Sequence, residues 1–130
     1  SITAAFEKHQ NISFKEHIFH SSEILIIITL KHHTRNLTKL AEKLQITKGA
    51  ASQTISRLER KGIVNKNPNS NNKNELNFTF TPDGEKLIEI IANFHNTLEK
   101  KVMEHLQVYS KDEKATISNF LDNIEMILSE

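Results

Sequence analysis

The 130-residue chain contains no cysteine. That absence excludes disulfides, thiolate-rich zinc sites, a thiol nucleophile and a cysteine redox switch together. Glycine and proline are scarce, at three and two residues, and apolar residues recur with a period near 3.6 over long stretches, so the chain is predicted to be mainly α-helical. Long hydrophobic runs are missing too. The longest covers only residues 24–28, against the roughly 20 apolar residues needed to span a bilayer, and residues 1–14 lack the apolar segment of a signal peptide. A soluble, cytoplasmic protein with no membrane partner is expected. At this length the simplest organisation is one domain over residues 1–130 with a modest core.

Acidic residues are nearly absent from one region. Residues 31–73 contain Lys31, Arg35, Lys39, Lys43, Lys48, Arg57, Arg60, Lys61, Lys66 and Lys73 against Glu42 and Glu59 alone. The surplus there is eight positive charges, while the rest of the chain carries 7 basic and 14 acidic residues, so a net charge of +1 conceals a dipolar molecule. A polyanion would meet one basic face of it. Blocks of like charge are ordinarily just solvated surface; here the pattern beneath the charge argues for more.

Capping signals divide the chain. Ser13 with Glu16 and Ser110 with Glu113 fit the S-x-x-E box, in which each side chain satisfies the other residue's free backbone N–H, so helices are predicted just after each serine. Ser21 or Ser22 can cap a helix through Ile24, Leu25, Ile28 and Leu30, although the β-branched run Ile26-Ile27-Ile28 fits a buried strand equally well by propensity. Asn36 caps a short helix with Leu40, Ala41 and Leu44 on one face. Gln45-Ile46 makes a turn, and Thr47 caps a second helix that ends at the C′ glycine Gly62.

On that second helix Ala51, Ile55 and Leu58 fall at i, i+4 and i+7 and form the inward stripe. Gly49, Ser52, Gln53, Ser56, Arg57 and Arg60 face away. This outer face is small, polar, basic and free of acid, which suits entry into a DNA major groove better than it suits a solvated face of mixed charge. Beyond Gly62, Ile63-Val64 starts a strand, residues 68–74 form a turn, and Leu76, Phe78 and Phe80 alternate with polar residues, which together predict a β-hairpin. Thr81-Pro82-Asp83 then starts a long helix whose stripe of Leu87, Ile91, Phe94, Leu98, Val102 and Leu106 continues to about Val108. A final helix offers Ile117, Phe120, Leu121, Ile124, Ile127 and Leu128. With the N-terminal Phe6, Ile12, Phe14, Ile18 and Phe19, these stripes exceed what a small core needs and imply a helical dimer interface.

These residues resemble a MarR-family winged helix-turn-helix regulator. The likeness is carried by Leu40-Ala41-Glu42-Lys43-Leu44, by Ile46-Thr47-Lys48-Gly49-Ala50-Ala51-Ser52-Gln53, by Leu58-Glu59-Arg60-Lys61-Gly62-Ile63-Val64 and by Phe80-Thr81-Pro82-Asp83-Gly84. It implies a DNA-binding lobe over about residues 21–81, dimerisation helices over about 2–20 and 82–129, and a homodimeric repressor relieved by a small ligand. Thr47-Lys48-Gly49-Ala50, Asn72-Lys73-Asn74-Glu75 and Phe94-His95 look most similar to a branch that includes fatty-acid-synthesis repressors. By the resemblance, Thr47, Lys48, Gly49, Ser52, Gln53 and Ser56 approach double-stranded DNA in the major groove, while Arg57, Arg60 and Lys73 meet phosphates. The wing departs from the family: where many members carry an acid followed by arginines, Asn71-Asn72-Lys73-Asn74 leaves Lys73 as the one cation at the tip. In the family the effector cleft lies where the DNA-binding lobe meets the dimer helices, which brings in Phe14, Phe19, Ile24, Ile28, Ile91, Phe94 and His95. That mostly apolar lining implies an apolar or amphipathic effector such as an acyl chain.

Catalytic patterns do not emerge. No Ser-His-Asp order, carboxylate pair or glycine-rich phosphate loop stands out, so neither an enzyme nor a cofactor is expected. His17 and His20, at i and i+3 near Glu16 and Glu23, are the only candidates for a metal, and a zinc-responsive repressor is the reading they would support. Two functional classes therefore stand: a DNA-binding repressor, favoured by the acid-free outer face, and a winged-helix protein-interaction module, to which the weakly charged wing points.

Overall fold

A computed structural model describes residues 11–67 and 75–130. The elements in order are β1 (Ile12–Phe14), β2 (His17–Phe19), α1 (Ser21–His32), α2 (Leu37–Leu44), α3 (Lys48–Arg60), β3 (Val64–Lys66), β4 (Phe78–Phe80), α4 (Pro82–Leu106) and α5 (Lys111–Leu128). The backbone divides into two compact units, residues 1–92 and 93–130. The first holds the helix-turn-helix and wing; the second holds the end of α4 and all of α5.

The first unit's core forms where several short elements converge. Ile24, Ile26, Ile27 and Leu30 of α1 are buried, and so are Leu40, Ala41, Ala51, Ile55, Leu58, Ile63, Val64, Phe78, Leu87 and Ile91. α3 packs against α1, α2 and β3. Because α1 is enclosed on several sides, its apolar residues do not sort onto one stripe, and for that reason periodicity could not separate helix from strand at Ile26-Ile27-Ile28. The helix wins, with His20 rather than Ser21 or Ser22 at the N-cap position.

The helix predicted after Ser13 does not form. Residues 12–19 are instead a tight antiparallel hairpin in which Ile12 pairs with Phe19, Ser13 with Ile18 and Phe14 with His17. The turn is Lys15-Glu16, and Lys15 adopts a left-handed φ of 54° without being glycine. A tertiary contact holds it there: Lys15 Nζ donates to Asp83 Oδ2 at 2.8 Å, and it also lies 5.9 Å from the ring centre of the neighbouring Phe14. Alternation then buries Ile12 and Phe19 and leaves Ser13 and Ile18 outside. An N-terminal dimerisation helix over residues 2–20 is thus replaced, over 11–20, by this hairpin; residues 1–10, including Phe6, lie outside the described residues.

The other starts agree with the sequence. Asn36 Oδ1 accepts from the Lys39 N–H at 3.0 Å, Thr47 Oγ1 from the Ala50 N–H at 3.0 Å, and Ser110 Oγ from the Glu113 N–H at 3.1 Å. Thr81 Oγ1 accepts from the Gly84 N–H at 2.9 Å and its backbone N–H donates to Ile63 O at 3.0 Å, stitching the start of α4 to the entry of the wing. Gly84 is required by that closeness. A Cβ there would sit 2.2 Å from the Ile63 carbonyl oxygen, so no larger residue fits without moving backbone.

In the second unit α5 buries none of its residues, although Phe120, Leu121, Ile124, Ile127 and Leu128 are apolar. A groove of about 460 Å³ runs between the end of α4 and α5, with Met103, Leu106, Ile117 and Leu121 among its walls. Among the described residues no helix is long and apolar enough to cross a membrane.

Candidate nucleic-acid interface

The site is built on α3. Ala51, Thr54, Ile55 and Leu58 are buried and fix the helix on the core, Thr54 being the one inward residue that the apolar pattern did not mark. Its hydroxyl is satisfied within the helix, donating to Ala50 O at 3.0 Å and accepting from Arg57 Nη2 at 3.1 Å. Lys48, Gly49, Ser52, Gln53, Arg57 and Arg60 are exposed, and Ser56 is half-buried. The one acid of α3 is turned off this face: Glu59 Oε2 accepts the Lys66 backbone N–H at 3.0 Å. The outer face therefore presents donors and cations to any ligand without a competing carboxylate.

The helix-turn-helix bend has a local cause. Gln45 caps α2 in the left-handed region, φ 55° and ψ 44°, and the Ile46 N–H returns to Ala41 O at 3.0 Å. The chain thereby reverses in two residues and Thr47 begins α3 in extended geometry. Thr47 Oγ1 is committed to the cap as an acceptor, yet keeps its proton to donate outward. Gly62, at φ 77°, ends the turn after α3 and sends the chain into β3.

The basic surplus of residues 31–73 is not one uniform face. Lys31 Nζ lies 3.2 Å from Glu85 Oε2 and 5.8 Å from the Phe80 ring centre. Arg35 stacks 4.5 Å from the Phe78 ring centre and donates through Nη1 to Phe78 O at 3.1 Å, bracing the base of the wing, where Leu76 N–H also bonds Arg35 O at 2.8 Å. Lys61 is paired with Glu23 at 2.8 Å. Lys39 and Lys43 of α2 are exposed alongside Lys48, Arg57 and Arg60, and Lys66 Nζ donates to Ser56 Oγ at 2.8 Å. The α2 lysines and Lys66 went unselected in sequence because charge alone marks no face. The i, i+4 spacing of Lys39 and Lys43 on an otherwise capped helix was the available signal. Lys73 and the wing tip lie outside the described residues.

The other candidates are more dispersed. Phe19, Ile24 and Ile91 are core residues, Phe14 and Ile28 are half-buried in the first unit, and Phe94 and His95 belong to the second, their rings 5.9 Å apart. His17 Nε2 lies 3.4 Å from Glu16 Oε1 and His20 Nδ1 lies 3.1 Å from Asn11 Oδ1. Among the described residues no three His, Asp or Glu side chains converge as a metal site would require.

Comparison with known proteins adds to this geometry. The sequence model of the MarR family matches residues 20–76. The chain is 31% identical over 78 residues to the uncharacterized HTH-type transcriptional regulator YhjH of Bacillus subtilis strain 168, an alignment covering 60% of this chain and 45% of that protein. The chain thus spans less than half the length of that relative. Among solved structures, Lactococcus lactis ZitR in complex with DNA superposes with a TM-score of 0.73 at 16% identity, covering 98% of this chain and 92% of ZitR. Streptococcus pneumoniae FabT in complex with DNA does so with a TM-score of 0.72 at 19% identity, covering 98% and 87%. At such identities the structural likeness is one of fold. The family model, by contrast, begins at the cap of α1 and runs through α2, α3 and into the wing, the stretch that builds the exposed basic face. By that match residues 20–76 of this chain are similar to the MarR family.

Proposed function

We propose that the protein is a sequence-specific, double-stranded DNA-binding transcriptional regulator, acting as a homodimeric repressor relieved by a small ligand. The observation that carries the DNA reading is the outer face of α3, cationic and polar, free of acid, and rigidly mounted through four buried inner residues. In this reading Lys48, Ser52, Gln53 and Ser56 approach base edges, Lys48 and Gln53 from the first turns of α3, with Thr47 and Gly49 at its entry, and Arg57, Arg60 and Lys73 meet phosphates. Lys39 and Lys43 add phosphate contacts from α2, where the first helix of such a motif crosses the backbone. That ZitR and FabT were solved with DNA supports the same reading.

Dimerisation is supported by the uncovered apolar residues of α5. A second copy would bury them and space two α3 helices about 34 Å apart to meet successive major grooves. For the effector, Phe14 and Ile28 are the half-buried apolar candidates of the first unit, and an acyl compound is the ligand class they suit. It would relieve repression by binding the DNA-incompetent spacing better.

A mobility shift on random duplex DNA, repeated across salt, tests the assignment. The expected result is binding that weakens steeply with salt and a subset of sequences held more tightly. Failure to shift any duplex at low salt would leave the protein-interaction module as the better reading. Adding acyl compounds, and separately zinc, to the same assay distinguishes an apolar effector from the metal response of ZitR, which is described as zinc-responsive.

A further inference from the structure

One cation of the basic region points into the protein. Lys61 is the C-cap residue of α3, one residue past the proposed DNA-reading face, and its backbone N–H closes on Arg57 O at 2.9 Å. Its ammonium donates to Glu23 Oε2 at 2.8 Å and to the Ile18 carbonyl at 2.9 Å, and lies 4.9 Å from the Phe19 ring centre. Glu23 is 1% exposed, and its other oxygen accepts the His20 backbone N–H at 3.2 Å. Among the described residues no buried side-chain polar atom lacks a partner. The ammonium thus ties three segments at one point: β2 through Ile18, α1 through Glu23, and the exit of α3 through its own backbone.

We infer that Lys61 is a positioning residue, which with Glu23 bolts the C-terminal end of α3 to the hairpin and α1 and so sets the pose in which α3 meets DNA. The inference rests on the proposed DNA reading and deepens it. The alternative role for Lys61 is a phosphate contact beside Arg60. The geometry argues otherwise, because a lysine whose charge is already matched by a buried carboxylate would have to strand that carboxylate to reach a phosphate. The bolt also lies at the end of α3 away from Lys48 and Gln53, so a small swing there is carried along the helix to the residues that approach base edges. An apolar replacement would fill the space but would lack the directional bond to Ile18 O.

The test uses Lys61→Met, the charge-free pair Glu23→Gln with Lys61→Met, and Arg57→Ala as a control. Affinities are measured by fluorescence anisotropy across salt, on the tightest duplex selected from a random library and on random-sequence duplex. Lys61→Met strands the Glu23 carboxylate and is expected to unfold at lower temperature; the paired variant removes that burden and is expected to keep the wild-type circular dichroism. For the folded paired variant the preference for selected over random duplex falls about tenfold, the size of one mismatched base pair. Its slope of log K against log salt stays at the wild-type value, whereas Arg57→Ala flattens the slope by about 0.9 for each phosphate left unneutralised and keeps the preference. A paired variant with undiminished preference would reduce Lys61 to a folding role, and one with a flattened slope would make it a phosphate ligand; either overturns the inference. A wild-type protein that binds no duplex overturns the DNA reading itself, and this inference with it.

Discussion

α3 and α5 begin alike and end differently. Each is started by a hydroxyl cap, Thr47 or Ser110, and each has an apolar stripe at helical spacing. α3 buries its stripe against α1 and α2 and offers a polar, basic surface outward; α5 buries no residue at all, and Phe120 and Leu128 are 62% and 80% exposed. The contrast teaches where partners belong. A helix whose apolar face is already covered has only its polar face to give, which suits a polyanion, while one whose apolar face is bare calls for an apolar partner. The proposed dimer and the proposed DNA complex thus use opposite kinds of surface on one chain.

Removing the bare helix should break the contrast most severely. Deleting residues 111–130 takes away Phe120, Leu121, Ile124 and Leu128 while leaving α3 mounted, so sedimentation should report a monomer. Duplex affinity should then fall by about two orders of magnitude or more, as two linked half-sites become one. A truncated protein that remains a dimer and binds normally would remove α5 from the interface. Next in size is Leu58→Ala, at a fully buried position of α3, expected to cost about 2–5 kcal/mol in denaturant unfolding. Phe120→Ala should instead change the concentration dependence of the melting temperature, because its cost falls on association. Gly84→Ala should cost about 1–3 kcal/mol by forcing α4 off the Ile63 carbonyl. Gln45→Gly should gain about 1 kcal/mol by relieving a left-handed residue at the helix-turn-helix bend.

The smallest effect is electrostatic and belongs to α5. The backbone N–H of Ser110, with its hydroxyl second, holds the Glu113 carboxyl below its ordinary value of 4.5. A carboxylate lowered in the folded state stabilises above its unfolded value and loses that contribution as pH falls through the lowered one. The start of α5 should therefore loosen only in acid. Ser110 and Glu113 amide shifts followed by NMR should titrate below pH 4.5, and Ser110→Ala should move that midpoint upward.

Legibility in the sequence followed the range of the interactions. The cap at Thr47, the turn at Gln45-Ile46, the glycine at 62 and the Ser110 box are settled within four residues of chain, and each stands as read. The Ser13-Glu16 pattern satisfied the same local rule and failed, because Lys15 is held in its turn by Asp83, 68 residues away. The exposed face of α3 was readable from the spacing of Ala51, Ile55 and Leu58. The partners of Lys31, Arg35 and Lys61 were not, since Glu85, Phe78 and Glu23 come to them only through the fold.

The assignment of α3 as the DNA-reading helix turns on Arg57, exposed on its outer face and held by Thr54. Duplex affinity of wild type and Arg57→Ala should be measured side by side over a range of salt. The expected result is a weaker variant on every sequence, with a slope flatter by about 0.9 for each phosphate that Arg57 neutralises in the wild type. A variant that binds as tightly as wild type with the same slope would contradict it.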